Sequence, residues 1–207
     1  MQKHFMIDIE STGTDVVRDE ILQIGVLELE FLMGYWRPGK SLEFELHTNR
    51  HPVSEFAKAN QSELFEKCHN TPFVAAPAIR STLLRFFKSC GAISPNVYVM
   101  GWNASGFDMP MLVNRGYLEP HRYVTDQYGK DQPAGDFHYR VYEIAGAIAL
   151  AENVLCLDRS ELIVDALALD TVIQLPEGRK HDALYDCYRQ AKLLNGLIYM
   201  LSQRVPQ

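Results

Sequence analysis

The sequence predicts an α/β fold, a mixed sheet flanked by helices. Three observations lead there. Apolar residues alternate at period two near the start of the chain, the spacing turns helical after Ser54, and a short apolar run at 97–101 stands between helical segments.

Residues 4–10 alternate, with Phe5, Ile7 and Ile9 on one side and Met6, Asp8 and Glu10 on the other. Ser11-Thr12-Gly13-Thr14 is a turn signal. Residues 21–31 read as a second strand, with Ile24, Val26 and Leu29 among its apolar positions. Gly34 and Pro38-Gly39 then separate it from a third, at 41–47. Together these predict an antiparallel meander. Helices are predicted over 54–68 and over 75–90, the second with Ile79, Leu83, Phe86 and Phe87 near helical spacing. Residues 97–101 read as a buried strand and 108–115 as a helix, with Pro110 tolerated in its first turn. Residues 116–136 read as a surface loop, because Gly129, Pro133 and Gly135 sit among polar residues. A strand over 137–142 and helices over 145–152 and 160–169 follow. The last helix, about 182–201, carries the stripe Leu184, Cys187, Ala191, Leu194, Ile198 and Leu201.

A chain of 207 residues without repeat, low-complexity tract or linker predicts one domain over 1–207. No apolar run approaches the roughly 18–20 residues that cross a bilayer, so no membrane partner is expected. Nothing at the start resembles a signal peptide, and Cys68, Cys90, Cys156 and Cys187 form no Cys-x-x-Cys pair. Those features predict a cytoplasmic protein with reduced thiols. The net charge of −6 argues against an extended duplex-binding face. Setting four candidate metal-binding acids aside from the 26 leaves 22 against 20 bases. That balance suits an enzyme gripping a few nucleotides at an end.

Three acidic stretches carry the chemistry. Asp8 and Glu10, two apart on a strand, leave the same face with Cα atoms about 7 Å apart, so a cation can sit between or beside them. The alternative is a strand that emerges into solvent there. Asp108 follows Trp102-Asn103-Ala104-Ser105-Gly106-Phe107 and begins a helix, where an N-cap is the plain alternative. His181 and Asp186 would lie about 140° apart on one helix, so His181 is expected in the loop and Asp186 one turn into the helix. The row Asp186, Gln190, Leu193, Leu197 then also faces protein. A buried acid wants a partner, and a metal is one candidate.

Jointly, these stretches resemble the DEDDh 3′–5′ exonuclease family of the RNase H-like superfamily. Ile7-Asp8-Ile9-Glu10-Ser11-Thr12-Gly13 is similar to its first motif and Asp19-Glu20-Ile21-Leu22-Gln23-Ile24-Gly25 to the turn and strand that follow. Asn103 with Phe107-Asp108-Met109-Pro110-Met111-Leu112 is similar to the second motif, and His181-Asp182-Ala183-Leu184-Tyr185-Asp186 to the third. The resemblance covers about residues 4–200. It implies a five-stranded mixed sheet, the meander plus parallel strands. It also implies hydrolysis of phosphodiester bonds at single-stranded DNA or RNA 3′ ends, with release of nucleoside 5′-monophosphates. Asp8, Glu10 and Asp186 would ligate Mg²⁺ or Mn²⁺, two ions per site, with Asp8 bridging and Asp108 in support. His181 would be the general base. Thr12 and Gly13 would meet the terminal 3′-hydroxyl, and Trp102, Asn103 and Phe107 would line a base pocket, where stacking adds roughly 1–3 kcal/mol. Ordinary core packing is the alternative for both aromatics. The family includes homodimers, so that partner is open as well. The sequence departs where many members carry Asp-Thr; here Tyr142-Glu143-Ile144-Ala145 follows an unusual loop at 121–136.

Two other readings compete. Asp8-Ile9-Glu10-Ser11-Thr12 after a hydrophobic strand also resembles the start of haloacid-dehalogenase-type phosphatases, which requires a parallel sheet. The second is a non-catalytic nucleic-acid-binding module of the same fold.

Overall fold

The meander is present and carries the rest of the molecule. The structure is a computed structural model and describes residues 2–52, 54–94, 96–178 and 180–204. β1 (Lys3–Ser11), β2 (Ile21–Leu32) and β3 (Tyr35–Glu45) pair antiparallel, and β4 (Val97–Gly101) and β7 (Val141–Glu143) extend the sheet in parallel. The strand order is β3-β2-β1-β4-β7. This antiparallel start is not the parallel sheet that the phosphatase reading required.

β1 is central and buried on both faces. Phe5, Ile7 and Ile9 pack with Ile24, Val26 and the apolar sides of α3 (Ala76–Ser89) and α4 (Asp108–Asn114). Met6 points the other way, into a second core with Leu27, Leu29 and Met100. That core is closed by α5 (Ile144–Leu155), α6 (Arg159–Leu169) and α7 (Ala183–Ser202). Asp8 and Glu10 continue the Met6 row, so two acids stand at the end of a strand sealed on either side. Close backbone approaches fix α7: a Cβ on Gly25 would lie 2.5 Å from the Ala183 carbonyl carbon, and one on Gly196 would overlap the Ala166 carbonyl.

Several expected boundaries move. The helix expected over 54–68 is two, α1 (Glu55–Asn60) and α2 (Ser62–Asn70), broken at Gln61, whose φ of −123° leaves the helical range. β3 begins at Tyr35 and runs through Pro38-Gly39, read as a turn. It is an edge strand with a register shift opposite Leu27 to Leu29, which accommodates the missing proline N–H. The surface loop at 121–136 contains a hairpin, β5 (Arg122–Thr125) and β6 (Asp131–Ala134), which forms its own two-stranded sheet. Of 137–142, only Val141 and Tyr142 are in the ladder, as part of β7. Phe137 instead plugs the first core and His138 stacks on Tyr98. On α7 the deepest row is Ala183, Cys187, Gln190, Ala191, Leu193 and Leu197, whereas Leu184, Leu194, Ile198 and Leu201 are half-buried. The four cysteines are free thiols, and no helix among the described residues is long and apolar enough to cross a membrane.

Candidate active site

The end of β1, the start of α4 and the start of α7 meet, and their acids meet with them. Asp8 is half-buried and Glu10 is buried. The carboxylate of Asp8 accepts Gln190 Nε2 at Oδ1 over 2.7 Å, and that of Glu10 accepts Gln61 Nε2 at Oε2 over 2.6 Å. β4 delivers Asp108 beside them. A Cβ on Gly101 would lie 2.8 Å from the Ile7 carbonyl oxygen, so only glycine lets the two strands converge this tightly. Asp108 is the first residue of α4, and Phe107 occupies the cap position. The buried Asp108 carboxylate bonds instead across the sheet, its Oδ1 accepting Ile9 N–H at 3.0 Å.

His181 lies in the loop before α7, as expected, in the left-handed region at φ +71°. Its main-chain N–H donates to Asp186 Oδ2 at 2.8 Å. The ring of Phe56, on α1, meets the imidazole edge-on with centroids 4.9 Å apart. α7 is also seated by Gln23 Oε1, which accepts Ala183 N–H at 2.9 Å, and by Glu43 Oε1, which accepts Leu184 N–H at 3.0 Å. Glu10, His181 and Asp186 each bring a ligating atom to within 4.8 Å of the others.

Burial raises the proton affinity of these acids, and at Asp8 and Glu10 the neighbouring carboxylates add to it. Burial pushes Asp8 well above the usual carboxylate range, and the charges of Asp108, Glu10 and Asp186 add to it against the Gln190 amide. Burial raises Glu10 to about 7 against the opposing Gln61 amide, and Asp186 and Asp108 add to the rise. Burial raises Asp108 to about 7, opposed by the Ile9 N–H. Asp186 is raised by burial, with the His181 N–H opposing, and the His181 imidazole is lowered by burial. Among the described residues none of the four acids forms an ion pair with lysine or arginine. A buried carboxylate cluster without a cation is costly to ionise. Hard oxygen donors facing one another fit Mg²⁺ or Mn²⁺.

The residues expected to face substrate divide. Thr12 is buried and its hydroxyl closes the following loop, donating to Asp19 Oδ1 at 3.1 Å and accepting Glu20 N–H at 3.0 Å. A Cβ on Gly13 would lie 2.5 Å from Asp19 Oδ2, so the Asp19 side chain would have to shift to admit one. Trp102 and Phe107 are half-buried, each against a core cluster, and Asn103 is exposed at φ +55°. At the departure from the motif, Glu143 Oε1 accepts Ser105 N–H, and its charge adds to the rise at Asp108. Sequence reasoning missed Gln61, Gln190 and Phe56. Only Gln190 left a signal, as a polar residue in a row expected to face protein.

No family model matches the sequence, and the search of curated proteins finds no match. Solved structures do match. The fold is one that several 3′-exonucleases share. The zinc-bound form of the E. coli ExoI–ssDNA complex superposes with a TM-score of 0.61 at 13% identity, covering 99% of this chain and 42% of that one. The nuclease domain of 3′hExo, a DEDDh family member bound to rAMP, gives 0.58 at 15% identity, covering 98% and 93%. A 3′-exonuclease in 3′-end specific recognition of a histone mRNA stem-loop gives 0.60 at 14% identity, covering 98% and 83%. The chain thus spans less than half the length of ExoI and nearly the whole 3′hExo nuclease domain.

Proposed function

We infer that this chain is a metal-dependent 3′–5′ exonuclease acting on the 3′ ends of single-stranded nucleic acid. One observation carries the reading: Asp8, Glu10, Asp108, His181 and Asp186 converge at the end of β1, with Glu10, His181 and Asp186 within 4.8 Å of one another. Neighbours of the same fold have been captured with ssDNA and with rAMP, which supports nucleic acid of either sugar as substrate.

Asp8, Glu10 and Asp186 would hold the cations, and Asp108 would support them. Two Mg²⁺ or Mn²⁺ ions, when bound, supply Lewis-acid activation of water and neutralise charge on the leaving oxygen. The imidazole of His181 takes the proton of the attacking water. Its depressed proton affinity keeps it neutral and ready to accept near pH 7. The P–O3′ bond breaks, the leaving 3′-oxygen takes a proton from solvent to become a new 3′-hydroxyl, and a nucleoside 5′-monophosphate is released. Trp102, Asn103 and Phe107 line the path of the terminal base, and the Thr12-Gly13 backbone meets the terminal sugar.

Matched DNA and RNA oligomers with 3′ tails, incubated with Mg²⁺, Mn²⁺ or EDTA, test this. Mononucleotides appearing from the 3′ end, only with metal and not with Asp8→Ala, are expected. Internal cleavage or metal-independent turnover would sink the reading.

A further inference from the structure

We propose that Gln61 and Gln190 are positioning residues that select which oxygen of Glu10 and of Asp8 is presented to a divalent cation, an inference that rests on the metal-site reading above. Both glutamines are buried, at 6% and 5% exposure. Each side chain reaches an acid. Gln190 is held at both ends. Its Oε1 accepts Trp102 N–H at 2.9 Å, and its Nε2 donates to Asp8 Oδ1 at 2.7 Å. The backbone N–H can only donate, so Oε1 must face Trp102 and Nε2 must face Asp8, and the amide has one consistent orientation. Gln61 sits at the break between α1 and α2, its N–H bonded to Ala57 O at 2.8 Å and its C=O to Phe65 N at 2.9 Å. With its backbone locked, its Nε2 donates to Glu10 Oε2 at 2.6 Å.

The two amides come from different elements, one from α7 and one from the helix break. Each occupies one carboxylate oxygen, and among the described residues Asp8 Oδ2 and Glu10 Oε1 accept no hydrogen bond. An amide suits this task because it fixes the carboxylate plane without cancelling its charge. A lysine or arginine in either place would supply the positive charge itself and compete with the ion. Partners behind metal ligands typically change affinity by about 10- to 100-fold when removed.

The test is Mn²⁺ affinity of the full chain without substrate, by titration calorimetry, for wild type, Gln61→Met and Gln190→Met. Melting in EDTA is recorded alongside. Methionine keeps the length and removes the donor. A 10-fold or greater loss of Mn²⁺ affinity in the variants supports the inference. Wild-type affinity in variants that melt lower marks the amides as merely structural and overturns it. If Gln190→Met does not fold, Gln61→Met decides alone. A wild type that binds no Mn²⁺ removes the metal-site reading and this inference together, whereas binding wild type with unaltered variants removes this inference only.

Discussion

Asp186 holds the backbone of His181: the main-chain N–H of the histidine donates to its Oδ2 at 2.8 Å. The acid therefore anchors the loop that carries the imidazole, and it brings a carboxylate oxygen to within 4.8 Å of ligating atoms of Glu10 and His181. A five-residue separation would splay the two side chains on a continuous helix. They converge because His181 turns through φ +71° before the helix begins at Ala183.

Replacing Asp186 should separate those two tasks. Asp186→Ala removes both the anchor and the charge, and hydrolysis should vanish. Asp186→Asn keeps an oxygen that can accept the His181 N–H but not the negative charge. Its loop should stay ordered, measured by hydrogen exchange at His181, while Mn²⁺ binding weakens as in the alanine variant. Equal loss of protection in both variants would show that the anchor depends on charge.

His181→Ala should lower turnover by about 10² to 10⁴ while Mn²⁺ affinity stays within a few-fold. Burial holds the imidazole below its ordinary value of 6.5, so the acid limb of kcat/KM at saturating metal should fall below that pH and disappear in the variant. A variant as active as the parent across pH would remove the general-base role.

Metal-free stability should fall as pH rises. Glu10 and Asp108 have folded-state values of about 7 against ordinary values of 4.5 and 3.8. Between those limits the folded chain binds more protons than the unfolded one, so stability is greatest at the acid end and is lost as pH rises through 7. In EDTA the melting midpoint should drop from pH 5 to pH 8, and Mn²⁺ should raise it more at pH 8 than at pH 5. A midpoint that climbs over this range would contradict the assignment.

Gly25→Ala should cost about 1–3 kcal/mol and also weaken Mn²⁺ binding. Its Cβ would lie 2.5 Å from the Ala183 carbonyl carbon, so the first turn of α7, which carries Asp186, must shift. Urea unfolding and calorimetry together check this. A purely local strain would move the first and leave the second unchanged.

Strong periodicity made the meander, β4, α3 and α7 legible, and the motif spacing was enough to bring five dispersed residues to one end of β1. What escaped has physical reasons. All four side chains of β5 are exposed, so no buried face wrote an alternating pattern into 122–125. Pro38 and Gly39 carry a turn composition yet lie in an edge strand, where a missing donor costs little. The break at Gln61 left no proline or glycine to mark it. Gln61 and Phe56 reach across the fold to their partners, and such contacts have no local signature. Thr12 and Gly13 were placed by motif, but their packing against Asp19 became visible only once the 12–20 loop had closed.

The β5–β6 hairpin has a practical corollary. Its strands pair with each other in a sheet of their own, and a Cβ added at its tip, Gly129, meets open space. A fluorophore or short epitope spliced in there should ride on the molecule as a passenger, giving single-molecule work a reporter whose attachment leaves the central sheet untouched.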